Sequence, residues 1–328
     1  MKNRNINIQY LRGVGILAIV LYHFPMFYKL PIIDYIQKFM RFGQANELFF
    51  VIAGYFIAQK CFKDDWRIGN VAGYLKSRVR KFIVPLSVWG GTAAAVGFIT
   101  DRFSIAQSVA YFLSSICFVE NIYNYYNPNN FGYLWFIACE FQFMILFSIL
   151  LIVMTRTRMM IFLTVMLFCL TFYHPHIRTN LLFEFHGLIL GVMLWKLVDE
   201  WPYILQRIKR FSNMRKRLIF YVSIIWGLAM CKFVRADLSF TLSSVSFGVS
   251  MLMVLSSNVA IYGKSFEIVK IIGDASYSIY LCHIPLIILL DYLLQGTTLY
   301  DNTILYFVFV MCIIVISGLI SKKYIETI

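Results

Sequence analysis

An arginine and a histidine stand eleven residues apart in an otherwise apolar stretch, Ile8 to Tyr28, close to the start of the sequence. At about 3.6 residues per turn, Arg12 and His23 come back to within about 20° of each other and lie about 16 Å apart along a helix axis. They therefore share one face. The stretch can cross a hydrocarbon core, which takes roughly 20 apolar residues, and an ionisable group inside such a span is costly enough to point to a polar pathway. An imidazole there can take and return a proton near neutral pH. Taken singly, snorkelling of Arg12 to the inner headgroups and an interfacial His23 beside Pro25 explain the same residues, so other polar positions must decide.

Two further ionisable residues fall at related depth. Glu140 lies about eight residues into the apolar run 132–155, and His283 about 12 residues into the run 271–294. Three such groups in three separate spans form a candidate catalytic site: His23, Glu140 and His283. Glu47 opens the second span near the outer face, and Arg178 and His186 also fall outward, so these three are candidates for an acceptor entrance. On the inner side Arg78, Arg80 and Lys81 precede Pro85. Phosphates suit such a cluster, because Arg binds them in a forked geometry and a helix start offers free N–H groups. The inward bias of cations in membrane proteins accounts for the same cluster without a ligand.

The elements that must position these groups are membrane helices. Of 328 residues, 60% are hydrophobic and only 14% charged, far more apolar than a soluble domain. Apolar runs near 8–28, 44–61, 80–99, 132–155, 159–173, 180–197, 218–233, 240–262, 271–294 and 303–320 predict about ten transmembrane helices in an all-α polytopic bundle. The shorter, serine-bearing run 104–119 reads as a re-entrant or interfacial helix. With the N-terminus inside, 22 of the 30 Lys and Arg fall in inner segments and 7 in outer ones, with Arg12 within its span. That asymmetry predicts both termini in the cytoplasm.

The formal charge of +14 thus marks orientation and implies no nucleic-acid partner. The seven cysteines show neither C-x-x-C nor paired Cys/His spacing, which implies no disulfide frame and no metal site. The first span is too long for a cleaved signal, no repeat or soluble region is visible, and residues 1–328 read as one membrane-embedded domain. In the external segment 100–131, the tract Asn121 to Asn130 is rich in amides and tyrosines, which suit sugar hydroxyls as well as a solvated turn-rich loop.

Five stretches, in order over residues 8 to 285, resemble membrane acyltransferase family 3, the group of bacterial O-antigen and other surface-glycan O-acetylases. They are the Arg12…His23 span, Glu47-Leu48-Phe49-Phe50-Val51-Ile52-Ala53-Gly54, Arg78-Val79-Arg80-Lys81-Phe82-Ile83-Val84-Pro85, Leu134-Trp135 through Glu140-Phe141-Gln142-Phe143, and Gly273 through Ser276-Tyr277-Ser278-Ile279-Tyr280-Leu281-Cys282-His283. Ala53 stands where the family usually has Ser, Lys81 where it has a second Arg, and Tyr324 to Ile328 matches its ending only loosely.

The resemblance implies a stand-alone O-acyltransferase of the bacterial inner membrane. It would carry acetyl from cytoplasmic acetyl-CoA to a hydroxyl of a surface polysaccharide or lipid-linked oligosaccharide acceptor. Arg12, Arg78, Arg80 and Lys81 would hold the acetyl-CoA, and no metal is needed. His23 would act as general base or carry an acetyl group itself. Glu140 would fix a histidine tautomer, and His283 would steady an oxyanion or carry a second proton. The alternative class is a polytopic transporter or flippase, for which matched broken helices in two halves are missing from the sequence.

Overall fold

The computed structural model describes residues 5–63, 68–128, 131–172, 184–257, 260–261, 263 and 266–326. Among the described residues there are sixteen α-helices and no strands. The first four are α1 (Ile6–His23), α2 (Pro31–Ile36), α3 (Ala45–Lys63) and α4 (Ile68–Ile99). Next come α5 (Ile105–Ile116), α6 (Glu120–Tyr126), α7 (Trp135–Val153) and α8 (Arg156–Phe172), followed by α9 (His186–Glu200), α10 (Tyr203–Lys209), α11 (Asn213–Ala229) and α12 (Ala236–Ser256). The last four are α13 (Glu267–Asp274), α14 (Ser276–Leu294), α15 (Thr298–Asp301) and α16 (Thr303–Tyr324).

Among the described residues six segments are long and apolar enough to cross a membrane: Ile6–Met26, Val71–Ile99, Trp135–Val153, Leu238–Ser256, Ser276–Leu294 and Thr303–Tyr324. The other four expected spans are helical too, as α3, α8, α9 and α11. Three of them have only 15 to 17 residues, and α3 carries Glu47 and Lys60 within it. Two expected boundaries change. The run at 80–99 is the second part of α4, which starts at Ile68 and runs through Pro85. The run at 271–294 breaks at Ala275 into α13 and α14, leaving a new helix start beside the residues of interest.

The short run expected near 104–119 is α5. Its N-terminus is closed by a capping box, with Gln107 N–H donating to Ser104 Oγ (3.2 Å) and Ser104 N–H donating to Gln107 Oε1 (2.8 Å). Ile105, Val109 and Leu113 form an exposed apolar stripe at helical spacing, while Tyr111, Ser114 and Ser115 are buried. The chain turns on either side of α5 through left-handed residues, Asp101 (φ 54°) and Phe118 (φ 57°).

One backbone contact sets the position of everything that follows. Helices α1 and α13 approach so closely that a Cβ on Gly273 would lie 1.7 Å from the Gln9 carbonyl oxygen, and one on Gly13 would lie 1.9 Å from the Val269 carbonyl oxygen. Both glycines are required by space. The contact seats Arg12 next to the start of α14, where its Nε donates to Ser276 Oγ at 3.1 Å.

The Gly273→Ala variant must push α1 and α13 apart, and overpacking of this kind costs about 1–3 kcal/mol. Its thermal midpoint in detergent is expected to fall by several degrees. A wild-type midpoint together with wild-type ligand binding would show that the contact tolerates a side chain.

Candidate functional site

His23 is the last residue of α1, ahead of the turn Phe24–Met26 that contains Pro25. His283 lies in the middle of α14 and is fully buried. The packing of α1 against α14 brings the two rings together, with centroids 5.0 Å apart and His283 Nε2 at 3.2 Å from His23 Nδ1. Both Nδ1 atoms face backbone carbonyls of their own helices, His23 facing Ile19 at 2.9 Å and His283 facing Tyr280 at 2.6 Å.

A carbonyl only accepts, so each neutral ring carries its proton on Nδ1. His283 Nε2 then presents a lone pair to the His23 Nδ1–H, and His23 Nε2 is the ring atom with a lone pair to offer a reactant. His283 thus stands behind His23, as the orienting group stands behind the base in a catalytic triad. With one nitrogen given to Tyr280 and the other to His23, His283 has no N–H directed at an oxyanion. Of the two roles expected for it, the geometry retains the proton-carrying one.

Aromatic rings wall this pair. Tyr133 packs edge-on to His283 at 5.3 Å, and Tyr280 lies at 5.6 Å. The Tyr133 hydroxyl donates to the Leu281 carbonyl at 2.7 Å, and the Tyr280 hydroxyl donates to the Tyr133 carbonyl. Pro285 explains the first of these bonds. Lacking an N–H, it cannot serve the carbonyl four residues earlier, and that carbonyl belongs to Leu281. Neither Tyr133 nor Tyr280 was expected at the site, although Tyr280 stands in the stretch that leads to His283. The signal was Pro285 inside a helix, which reveals a carbonyl in need of a donor but not the donor itself.

A cavity of about 670 Å³ reaches the residues that hold the pair, although neither His23 nor His283 lines it. Its lining includes Ile19 and Tyr280, whose carbonyls hold the two imidazoles, and runs from them to Arg12, Arg78 and Lys81. Three of the four expected phosphate-binding cations therefore share one cavity. The fourth, Arg80, is exposed and lies off it. Two residues of helix turn the side chain by about 200°, so Arg78 and Arg80 cannot face the same space. Arg78 also lies over the Tyr74 ring at 5.1 Å. Ala53 lines the cavity where a serine would add a hydroxyl.

The remaining site expectations separate. Glu140 faces the cavity, within electrostatic reach of Arg12, Arg78 and Lys81. The Ile19 and Tyr280 carbonyls, not this carboxylate, set the histidine tautomers, because they occupy both Nδ1 atoms. Glu47 and His186 come together at a second place, within the packing of α3, α9 and α12, and both are buried. Glu47 accepts a hydrogen bond from Ser244 Oγ at 2.5 Å and is hydrogen-bonded to Glu184, while His186 stacks near Phe240 at 5.8 Å. Both are thus enclosed in an interhelical polar network, which corrects the expectation of an open outer entrance at these two residues. Arg178 lies outside the described residues.

The outer amide-rich tract also divides. Asn121 and Gln142 bond each other through both amide groups at 2.9 Å, and Gln142 Nε2 also donates to the Phe118 carbonyl at 2.9 Å. The glutamine of the Glu-x-Gln-Phe stretch thus ties α6 to α7. Asn124 is buried, whereas Tyr126 and Asn127 are exposed. Burial pushes the Glu120 carboxyl at the start of α6 well above the usual carboxylate range.

Comparison with known proteins comes down to one match, with a family model described as an acyltransferase domain, over residues 5–322. No curated protein matches the chain, and no solved structure matches it.

Proposed function

The chain belongs to acyltransferase family 3, and on that premise we propose that it transfers an acetyl group from acetyl-CoA on the inner side of a bacterial cytoplasmic membrane to a hydroxyl of a surface polysaccharide or lipid-linked oligosaccharide. The observation that supports this reading most is the cavity that joins Arg12, Arg78 and Lys81 to the supports of the paired imidazoles. Its cationic part suits the phosphates of the donor, and its inner end suits a thioester.

At that inner end the acceptor oxygen would attack the thioester carbonyl while His23 Nε2 takes the hydroxyl proton. The new C–O bond forms, the C–S bond breaks, and the departing thiolate takes the proton from His23. As charge develops on His23, its Nδ1–H donates to His283 Nε2. This spreads the positive charge over two rings. General base assistance of this kind contributes about 10²–10⁴-fold.

The purified protein in lipid nanodiscs, given acetyl-CoA, is expected to release free thiol only when a polysaccharide acceptor is added. The product should carry an alkali-labile ester. Solute uptake into proteoliposomes with no thiol release would overturn the reading in favour of transport.

A further inference from the structure

The basic end of the cavity is closed by a carboxylate of the chain itself. Glu326 follows α16 and lines the cavity together with Arg12, Arg78 and Lys81. Its Oε1 accepts from the Ser278 N–H at 3.1 Å and from Ser278 Oγ at 2.5 Å. Ser278 is the third residue of α14, so its N–H is one of the first four that a helix leaves without an internal partner. These are the donors, at the positive end of the dipole, that bind phosphates elsewhere.

Three cations complete the setting. Arg12 reaches the same helix start through Ser276 Oγ, and Lys81 is close enough to feel the charges of Glu326, Arg78 and Arg12. A helix start and a hydroxyl thus hold one carboxylate, and two guanidinium groups and an ammonium line the same cavity.

We propose that this is a subsite for a phosphate group of the acyl donor, and that Glu326 is an internal stand-in which the donor displaces. The identification of the donor as acetyl-CoA rests on the functional reading above. Glu140, another carboxylate among these cations, lies within α7, in its second turn, and cannot leave. Glu326 lies beyond the end of a helix whose last turn is fastened by an ion pair between Lys322 and Asp274, so it can swing away while α16 stays docked. Ser278 is fully buried, and withdrawal of the carboxylate would open its N–H and hydroxyl to an incoming phosphate oxygen. Glu326 therefore occupies the subsite while the donor is absent and lowers the apparent donor affinity by the fraction of time that it does so.

The test is calorimetric binding to the full chain in nanodiscs, comparing wild type with Glu326→Gln and Glu326→Ala. Three probes are used: acetyl-CoA, S-acetylpantetheine, which has no phosphate, and inorganic pyrophosphate. Both variants are expected to bind acetyl-CoA and pyrophosphate about five- to tenfold more tightly, as for a subsite open only about a tenth to a fifth of the time in wild type. S-acetylpantetheine binding should stay the same.

Unchanged or weaker acetyl-CoA binding in folded variants would overturn the proposal, and so would equal tightening for all three probes. Tighter pyrophosphate binding by the variants, with acetyl-CoA bound by none of the proteins, would leave the anion subsite standing and remove the donor assignment instead.

Discussion

The His23→Ala variant is expected to lose acyl transfer by about 10²–10⁴-fold while still binding acetyl-CoA. The expectation comes from the position of the ring, with Nδ1 committed to Ile19 and His283 and Nε2 left to meet a reactant. Removing a ring from a packed site can also disturb folding, so His23→Asn is the stricter variant. Its amide N–H can take the place of Nδ1–H toward the Ile19 carbonyl, yet it has no second nitrogen to accept a proton. Both variants should therefore lose the same activity, and His23→Asn should keep a wild-type melting curve. His283→Ala should lose less than either, through kcat and not through the KM for acetyl-CoA, because its ring acts through His23. Thiol release at the wild-type rate from His23→Asn would remove His23 as the base.

Reversing charge in the cavity is expected to act on the donor alone. Hydrogen bonds to charged groups contribute about 1.5–3 kcal/mol each, so Arg78→Glu combined with Lys81→Glu should weaken acetyl-CoA binding by about 10²-fold or more. Acceptor binding should change little. Arg80→Glu provides the internal comparison, since Arg80 is exposed and lies off the cavity. It carries the same charge change as Arg78→Glu alone in the same segment, yet donor affinity should stay within about twofold, as expected where long-range attraction is screened by salt. Similar losses for Arg78→Glu and Arg80→Glu would mean that bulk inner-surface charge attracts the donor, and the cavity would lose its assignment. Because Arg78 also covers the Tyr74 ring, each variant is to be compared with wild type by thermal melting before binding is measured.

What was legible in the chain followed from short-range rules. Hydropathy alone determined that the protein is an all-helical membrane bundle, because an apolar segment inside lipid has to satisfy its own backbone hydrogen bonds. Helical periodicity placed Arg12 and His23 on one face, and both residues do lie on the continuous helix α1. The same rules fell short at helix ends. The break at Ala275, which creates the start of α14, lies inside a run that reads as uninterrupted, and among the described residues six segments are long and apolar enough to cross a membrane.

Which polar groups meet was decided by tertiary structure. Depth along a helix axis put His23, Glu140 and His283 in one layer, but depth carries no information about azimuth relative to other helices. Only the packed bundle, fixed by the Gly13 and Gly273 contacts, turned the two imidazoles toward each other and Glu140 toward the cations. Glu326 was beyond any local rule. It lies 48 residues along the chain from the Ser278 donors that hold it, and contact over such a separation comes from the packing of α16 on α14, which no stretch of sequence encodes by itself.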